Sequence, residues 1–516
     1  MARADVIDNN SELVEVNLIM KKTIYALTLV LSILFSSAPI RAGQEPNPFK
    51  DQLEPIIKQA IEKLNLPGFA IAVVQNDRVV YAAGFGLRSL DNKTEPITPR
   101  SLFHMASITK LFVGTSIMQL VEQGKIDLDA PIVKYLPYFR MSDDRYKSIT
   151  VRQMLSHVSG MPDVEDYEWN KPQYDDGALE RYVRSLNNLS LIAAPGTKWQ
   201  YSNMAYEILG DCIAKVSGET FEGYVKNHIL DPLGMKNSTL LVKQADQKLL
   251  TTPHVFSKSF DIEVSKIFPY NRMHSPSSTL YSNVLDMAEW ARASLNRGEL
   301  NGKRILKSTT YDAMWKPAGE GWKQIGISWF LGEYKGQRIV GHSGGDVGFN
   351  SNFSMLPDKK MAVVMMSNFD NASPAMRVIT NAAFDVAMGL KPDPVPVKQS
   401  IAVVVYKAIA NEGIDAAIQK YRDLKKNQPD DYNFQEGQLN TLGYRLIQQG
   451  KLKEAIRVLQ LNVEAYPASS NVYDSLGEAY MKNGDKQMAI ENYEKSLKLN
   501  PGNSNAVEML KKLKEH

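Results

Sequence analysis

The chain has 516 residues, 44% hydrophobic and 23% charged, with a net charge of +3. That length calls for two or three folding units, and the ordinary apolar and charged fractions mean that most of it folds. Charge this near neutral, with no Lys/Arg run among aromatics, gives no electrostatic case for nucleic acid. The single cysteine, Cys212, excludes an internal disulfide framework and argues against a cysteine metal site.

At the N-terminus, Lys21 and Lys22 precede the apolar run Ile24 to Phe35, and small residues continue to Ala38 and Ala42. This predicts a secretory signal over 20–42. The run is shorter than the roughly 20 residues a membrane helix needs, so membrane contact is expected only if the segment is not cleaved. Residues 1–19 are polar and acidic, which suits translation starting at Met20, with 1–19 not translated. The expected destination is outside the cytoplasm, periplasmic or extracellular.

Residues 46–390 read as one mixed unit. Phe69–Val74 and Val79–Gly84 flank Gln75-Asn76-Asp77-Arg78, a hairpin pattern. Ser107-Ile108-Thr109-Lys110 opens a helical stretch carrying Leu111, Phe112, Ile117, Met118, Leu120 and Val121. Further on, Pro195-Gly196 turns the chain through Tyr201-Ser202-Asn203 into another helix. Gly341-His342-Ser343-Gly344-Gly345 follows the strand-like Arg338-Ile339-Val340. Asn352–Leu356 and Met361–Met366 then flank Pro357–Lys360 as a second hairpin. Strands at both ends with helices between them predict one antiparallel sheet built from both ends of the unit, an α+β fold.

Residues 391–400 are Pro-rich and predict a fairly stiff linker. From 401 to 516 the pattern is helical and repeats: Leu442-Gly443 recurs as Leu476-Gly477, Gly450 as Gly484, Ala455-Ile456 as Ala489-Ile490, and Pro467 as Pro501, each 34 residues on. This period resembles the tetratricopeptide repeat. A weaker unit around Ala417-Ile418, Tyr421 and Pro429 precedes the two. A capping helix over Asn505–Leu513 is predicted to bury Val507, Leu510 and Leu513. Such arrays serve either as stabilising appendages or as platforms for a protein or peptide partner.

The chemistry centres on Ser107 and Lys110. Residues three apart on a helix share a face, so hydroxyl and amine come within hydrogen-bond reach. A hydroxyl becomes a good nucleophile when a neighbouring base takes its proton, and a lysine does so only when neutral, which an apolar wall favours. Tyr201 offers a phenol that can relay protons. Asn203 offers an amide for a substrate carbonyl and for the lysine. The glycines after His342 let a substrate backbone lie along the strand edge.

With these three segments in order, residues 50–390 resemble the serine β-lactamase and penicillin-binding superfamily, in its class C-like branch of lactamases, D,D-peptidases, D-aminopeptidases and esterases. Phe103-His104-Met105-Ala106, Gly124–Asp129 and Leu155–Gly160 add to the likeness. The resemblance implies a β-lactamase-like antiparallel sheet with a helical domain, followed by the all-α repeats. It implies Ser107 as the acylated nucleophile, Lys110 as its activating partner and Tyr201 as general base or proton relay. Asn203, His342, Ser343 and Gly344 would bind substrate, and the backbone N–H groups of Ser107 and Gly345 would form an oxyanion hole. His342 replaces the lysine of K-T-G, which turns the expectation from a true β-lactamase toward a peptidase or esterase. A protonated His342 is the form that would anchor a substrate carboxylate.

The expected substrate is therefore a D-amino-acid peptide, a peptidoglycan fragment or an ester, with no cofactor and no metal. Two rivals are a true β-lactamase and a non-catalytic scaffold that binds cell-wall peptides. A third reading, of Gly341–Gly345 as the G-x-S-x-G nucleophile elbow, requires a helix after it and a later catalytic histidine. A strand pattern follows instead, and the only later histidine is His516. His157 reads as a turn-capping structural residue.

Overall fold

The computed structural model describes residues 47–393 and 397–515. The predicted signal segment, residues 1–19, the centre of the Pro-rich linker and His516 lie outside the described residues. The chain enters through α1 (Pro48–Leu64) and the hairpin β1 (Gly68–Gln75) and β2 (Arg78–Gly86). A largely helical stretch follows, in which α2 (Thr109–Glu122), α3 (Asn203–Ser217) and α4 (Val284–Leu295) are the main helices. Four strands then close the unit: β3 (Phe330–Tyr334), β4 (Gln337–Asp346), β5 (Phe349–Leu356) and β6 (Met361–Ser367), before α5 (Ser373–Ala387).

The six strands form one antiparallel sheet in the order β2-β1-β6-β5-β4-β3. The first and last hairpins meet at β1 and β6, where Phe69 pairs with Ser367 and Gln75 with Met361. Successive strand residues point to opposite faces, and β1 shows the consequence. Phe69, Ile71 and Val73 pack with Leu53 and Ile57 of α1 and Ile379 of α5. The smaller Ala70 and Ala72 face the other core, which holds Phe112 of α2 and Trp290 of α4. Those two rings stack at 4.3 Å. Helix α2 is buried from Thr109 to Leu120, as befits a helix that is apolar nearly all round.

The C-terminal array consists of α6 (Ile401–Glu412), α7 (Ile414–Asn427), α8 (Glu436–Gln448), α9 (Leu452–Ala465), α10 (Ser470–Asn483), α11 (Lys486–Leu499) and α12 (Ser504–Glu515). The small residues of the repeat sit where paired helices cross. A Cβ on Gly443 would lie 2.6 Å from Leu459, and one on Gly477 3.2 Å from Tyr493. In α12 the buried face is not the expected one. Val507 is 53% exposed, whereas Ala506 and Leu510 are buried and Met509 and Leu513 pack beside them. The stripe Ala506-Met509-Leu510-Leu513 keeps helical spacing while turning Val507 outward, because α12 meets α11 on that side.

The array is joined to the sheet unit by more than its linker. Residues His254–Phe256 and Ile262–Val264 form a small hairpin, and Phe260 at its tip belongs to the array's own core. The Arg445 guanidinium lies 3.8 Å above the Phe260 ring and donates to the Ser257 carbonyl at 2.7 Å. Gln399, at the end of the linker, donates to the Lys63 carbonyl of α1 at 2.8 Å.

Candidate active site

Ser107 is set by a turn that the sheet and helices grip together. The short strand Phe103–His104 pairs with Tyr281–Ser282. Ala106 then takes a left-handed conformation, φ 47°, before the chain winds into α2. A non-glycine residue in that region stores strain and persists where its surroundings impose it. Here Thr109 Oγ1 donates to the Ala106 carbonyl at 2.7 Å, and Ser351 Oγ of β5 donates to the Met105 carbonyl, also at 2.7 Å. The Leu280 N–H in turn donates to Thr109 Oγ1 at 3.0 Å.

Lys110 is fully buried. Its Nζ donates to Ser107 Oγ at 3.1 Å, to Asn203 Oδ1 at 2.6 Å and to the Ser277 carbonyl at 2.8 Å. The expected apolar wall is thus absent around the amine itself. Three oxygens meet it, one for each proton of an ammonium.

Helix α3 delivers Asn203 through its N-terminus. Ser202 caps the helix by accepting from the Ala205 N–H at 3.2 Å, as serine does at this position. Asp163 accepts from the Asn203 backbone N–H at 2.7 Å and from its Nδ2 at 3.0 Å. The Asn203 amide is thereby fixed, oxygen toward Lys110 and nitrogen toward Asp163. Tyr201, two residues earlier, stacks on His157 at 4.2 Å, and Lys110 Nζ lies 5.1 Å from its ring centroid. His157 Nδ1 accepts from the Ser202 N–H at 3.2 Å. His157 sits at φ 57°; burial first, then the charges of Lys110 and His342, hold it well below the usual histidine range. Its role in the turn is structural, as its setting in the sequence suggested.

The remaining wall is β4. Strand β3 pairs with it only as far as Gly341 opposite Phe330, so His342–Asp346 keeps one edge free of strand partners. Ser107, Asp163, Tyr167, Tyr201, Asn203, Ser278, Phe330, His342, Ser343, Gly345 and Asp346 enclose a cavity of about 360 Å³. Six predicted site residues therefore line one space: Ser107, Tyr201, Asn203, His342, Ser343 and Gly345, with Lys110 against Ser107. Gly344 does not line it. A Cβ there would lie 2.3 Å from the Met105 carbonyl oxygen and 3.2 Å from the Ala106 Cβ, so Gly344 faces the nucleophile turn instead.

His342 departs from the carboxylate anchor envisaged for it. It is 4% exposed, and burial, followed by the charge of Lys110, pulls it down to about 3. Its Nδ1 donates to the Ser343 carbonyl at 2.6 Å, and Phe330 packs against the ring at 4.8 Å. The imidazole is neutral at physiological pH. The Gly341–Gly345 segment lies inside β4 and leads into β5, so Ser343 has no strand-to-helix elbow beneath it.

Several residues at the site carry no local signal. Asp163 and Asn203 are 40 positions apart, and the Ser277 carbonyl is 167 from Lys110. Asp346 accepts from Ser278 Oγ at 2.5 Å and from His104 Nε2 at 3.2 Å. Burial alone would push its carboxyl up, but the His104 and Ser278 hydrogen bonds hold it below the ordinary range. His104, three residues before Ser107, was legible only as part of a signature.

Comparison with known proteins agrees with the fold. A family profile described as Beta-lactamase matches residues 53–387, and one for the tetratricopeptide repeat matches residues 475–503. "Protein flp" of Staphylococcus aureus (strain MW2) is 27% identical over 335 residues, covering 63% of this chain and 64% of that protein. "Unguisins hydrolase ungD'" of Aspergillus campestris is 27% identical over 343 residues, 62% of each. The chain thus spans about two thirds, slightly less, of the length of these relatives. Among solved structures, the octameric penicillin-binding protein homologue from Pyrococcus abyssi superimposes with a TM-score of 0.56 at 28% identity, over 67% of this chain and 78% of that one. SurE superimposes with a TM-score of 0.57 at 20% identity, over 68% and 79% respectively, a likeness of fold.

Proposed function

We propose, of a chain that belongs to the β-lactamase family, that it is a serine hydrolase working through an acyl-enzyme on Ser107. The observation that carries the reading is the Lys110 amine, buried and held at 3.1 Å from Ser107 Oγ by two further oxygens. A cationic amine so placed stabilises the negative charge that develops on Ser107 Oγ as its proton leaves. Ser107 Oγ attacks a substrate carbonyl while Tyr201 relays the hydroxyl proton to the leaving group, with the Lys110 amine holding Ser107 Oγ in place. Water then cleaves the acyl-oxygen bond by the reverse proton path. The Ser107 and Gly345 N–H groups receive the carbonyl oxygen; losing one such donor costs about 10²–10³ in rate.

Peptidase or esterase action, on D-amino-acid peptides, peptidoglycan-derived peptides or esters, is favoured over β-lactam hydrolysis. A neutral His342 stands where a cation would grip a β-lactam carboxylate. The hydrolase name of the Aspergillus relative supports hydrolysis in general. The Lys21-Lys22 pair and the apolar run after it support export, and the tetratricopeptide match supports a protein or peptide partner on the array.

The test is to incubate the protein with a fluorophosphonate and with labelled penicillin and to map adducts by mass spectrometry, with Ser107→Ala as control. Labelling of Ser107 by the fluorophosphonate is expected. No adduct from either reagent would leave the non-catalytic scaffold standing, and rapid penicillin turnover would restore the lactamase reading.

A further inference from the structure

The charges around the cavity are unequal. Among the residues lining it, Asp163 and Asp346 are acidic and none is a lysine or arginine. Lys110 lies behind Ser107 with its three protons already taken by oxygens. His342 and His157 are buried beside that ammonium; a second positive charge there would be repelled and poorly solvated, and His342 Nδ1 already serves the Ser343 carbonyl. A substrate carboxylate entering this space meets two negative groups and no free positive one.

The two carboxylates are not equivalent. Asp163 is tied to the start of α3 by the group that also meets Lys110: its Oδ1 accepts from the Asn203 N–H, the Asn203 Nδ2 and the Val164 N–H, and its Oδ2 from the same Nδ2 at 3.1 Å. In Asp346, Oδ2 takes Ser278 and His104, while Oδ1 takes only the Val347 N–H at 3.1 Å. Its side chain keeps 13% of its surface open, whereas His104 behind it is wholly buried. Asp346 follows Gly345 directly on β4, so its carboxylate stands one residue from an N–H assigned to the oxyanion hole. Its hydrogen bonds to His104 and Ser278 hold it ionised and in place, without filling the lone pairs on its Oδ1 side.

We infer that Asp346 recognises a cationic nitrogen on the substrate, so that the enzyme selects acyl groups bearing a free amine and turns away those bearing a carboxylate. This rests on the reading of Ser107 as the acylated nucleophile. The substrate class it names is an amino-acyl amide or ester with its amino group free. Asp346 is here a specificity-determining residue, and its effect falls on which acyl group reaches Ser107.

The experiment uses the full-length protein and three fluorophosphonates of equal tail length, ending in an ammonium, a hydroxyl or a carboxylate. The second-order rate of Ser107 labelling is measured for each. The expected order is ammonium, hydroxyl, carboxylate, with about tenfold or more between the extremes at low salt. High salt should compress the ladder, since screening acts on charge alone. Asp346→Asn should collapse the ratio between the charged probes. Equal rates for the three, or a faster carboxylate probe, would overturn the inference while leaving the hydrolase reading intact. A ladder that survives Asp346→Asn would overturn it as well. Failure of even the hydroxyl probe to label Ser107 would instead strike at the hydrolase reading and remove the inference with it.

Discussion

The Met105 carbonyl oxygen occupies the place a side chain on Gly344 would need: a Cβ there would lie 2.3 Å away. Two segments far apart in sequence thus touch directly beneath the nucleophile, and the strand that flanks the cavity also supports the turn that presents Ser107.

Gly344→Ala should therefore act on Ser107 through the turn. The alanine methyl has backbone on one side and Ser351 Oγ at 2.4 Å on the other, so the turn must shift. A misplacement of about 1 Å in an active site can cost on the order of 10² in rate, and a loss of that size in Ser107 labelling is expected. Gly345→Ala meets only the end of Asn350, at 3.1 Å, and should be milder. Comparing the two labelling rates checks the relationship.

Asn203→Ala removes one acceptor from Lys110 and the Nδ2 donor that reaches both oxygens of Asp163. The backbone N–H stays, but the amide that bridges the two charges is gone. A buried polar group left without its hydrogen bond costs about 1–3 kcal/mol, and a charged one more. Urea unfolding should show a loss at the upper end of that range or beyond it, together with slower Ser107 labelling. Asn203→Asp, which places a second carboxylate against Asp163, should be worse for stability.

Acid should destabilise the fold through His342. Its folded value, about 3, lies below the ordinary 6.5. Between those values the unfolded chain binds a proton that the folded chain does not, so stability rises with pH across that window and falls as pH drops from 6.5 toward 3. The limiting slope for one such group is about 1.4 kcal/mol per pH unit. His157, depressed by burial in the same way, acts in the same direction. Urea midpoints measured from pH 7 down to pH 4 should fall, and His342→Gln should flatten part of that fall.

Phe260→Ala should loosen the repeat array from the sheet unit. The ring is buried among array residues, 5.2 Å from Tyr406 and under Arg445. Removing a buried phenylalanine side chain costs about 3–5 kcal/mol. Calorimetry is expected to show the array melting ahead of the rest, where the wild type melts more cooperatively. A single unchanged transition would show that the hairpin tip contributes nothing to the joint.

Local spacing carried much of this protein. The three-residue spacing of Ser107 and Lys110 brings hydroxyl and amine together on one helical turn. The short apolar runs at Phe69–Val74 and Met361–Met366, each beside a turn segment, made strands, and 34-residue spacing made the helix pairs of the array. Tyr201, Asn203 and His342 were legible through their order along the chain and the family it resembles. All of these depend on short-range periodicity or on motif.

What tertiary packing decided was who meets whom across long separations. The Ser277 carbonyl on Lys110, Asp163 on Asn203, and Asp346 with Ser278 and His104 are contacts between segments tens to hundreds of residues apart, and no spacing encodes them. Protonation belongs here too: His342 is neutral because burial and the Lys110 ammonium leave no room for a second positive charge, a property of its surroundings and not of its residue type. Even in α12, the sequence determined an amphipathic helix, while its packing against α11 decided that Ala506, and not Val507, lies inside.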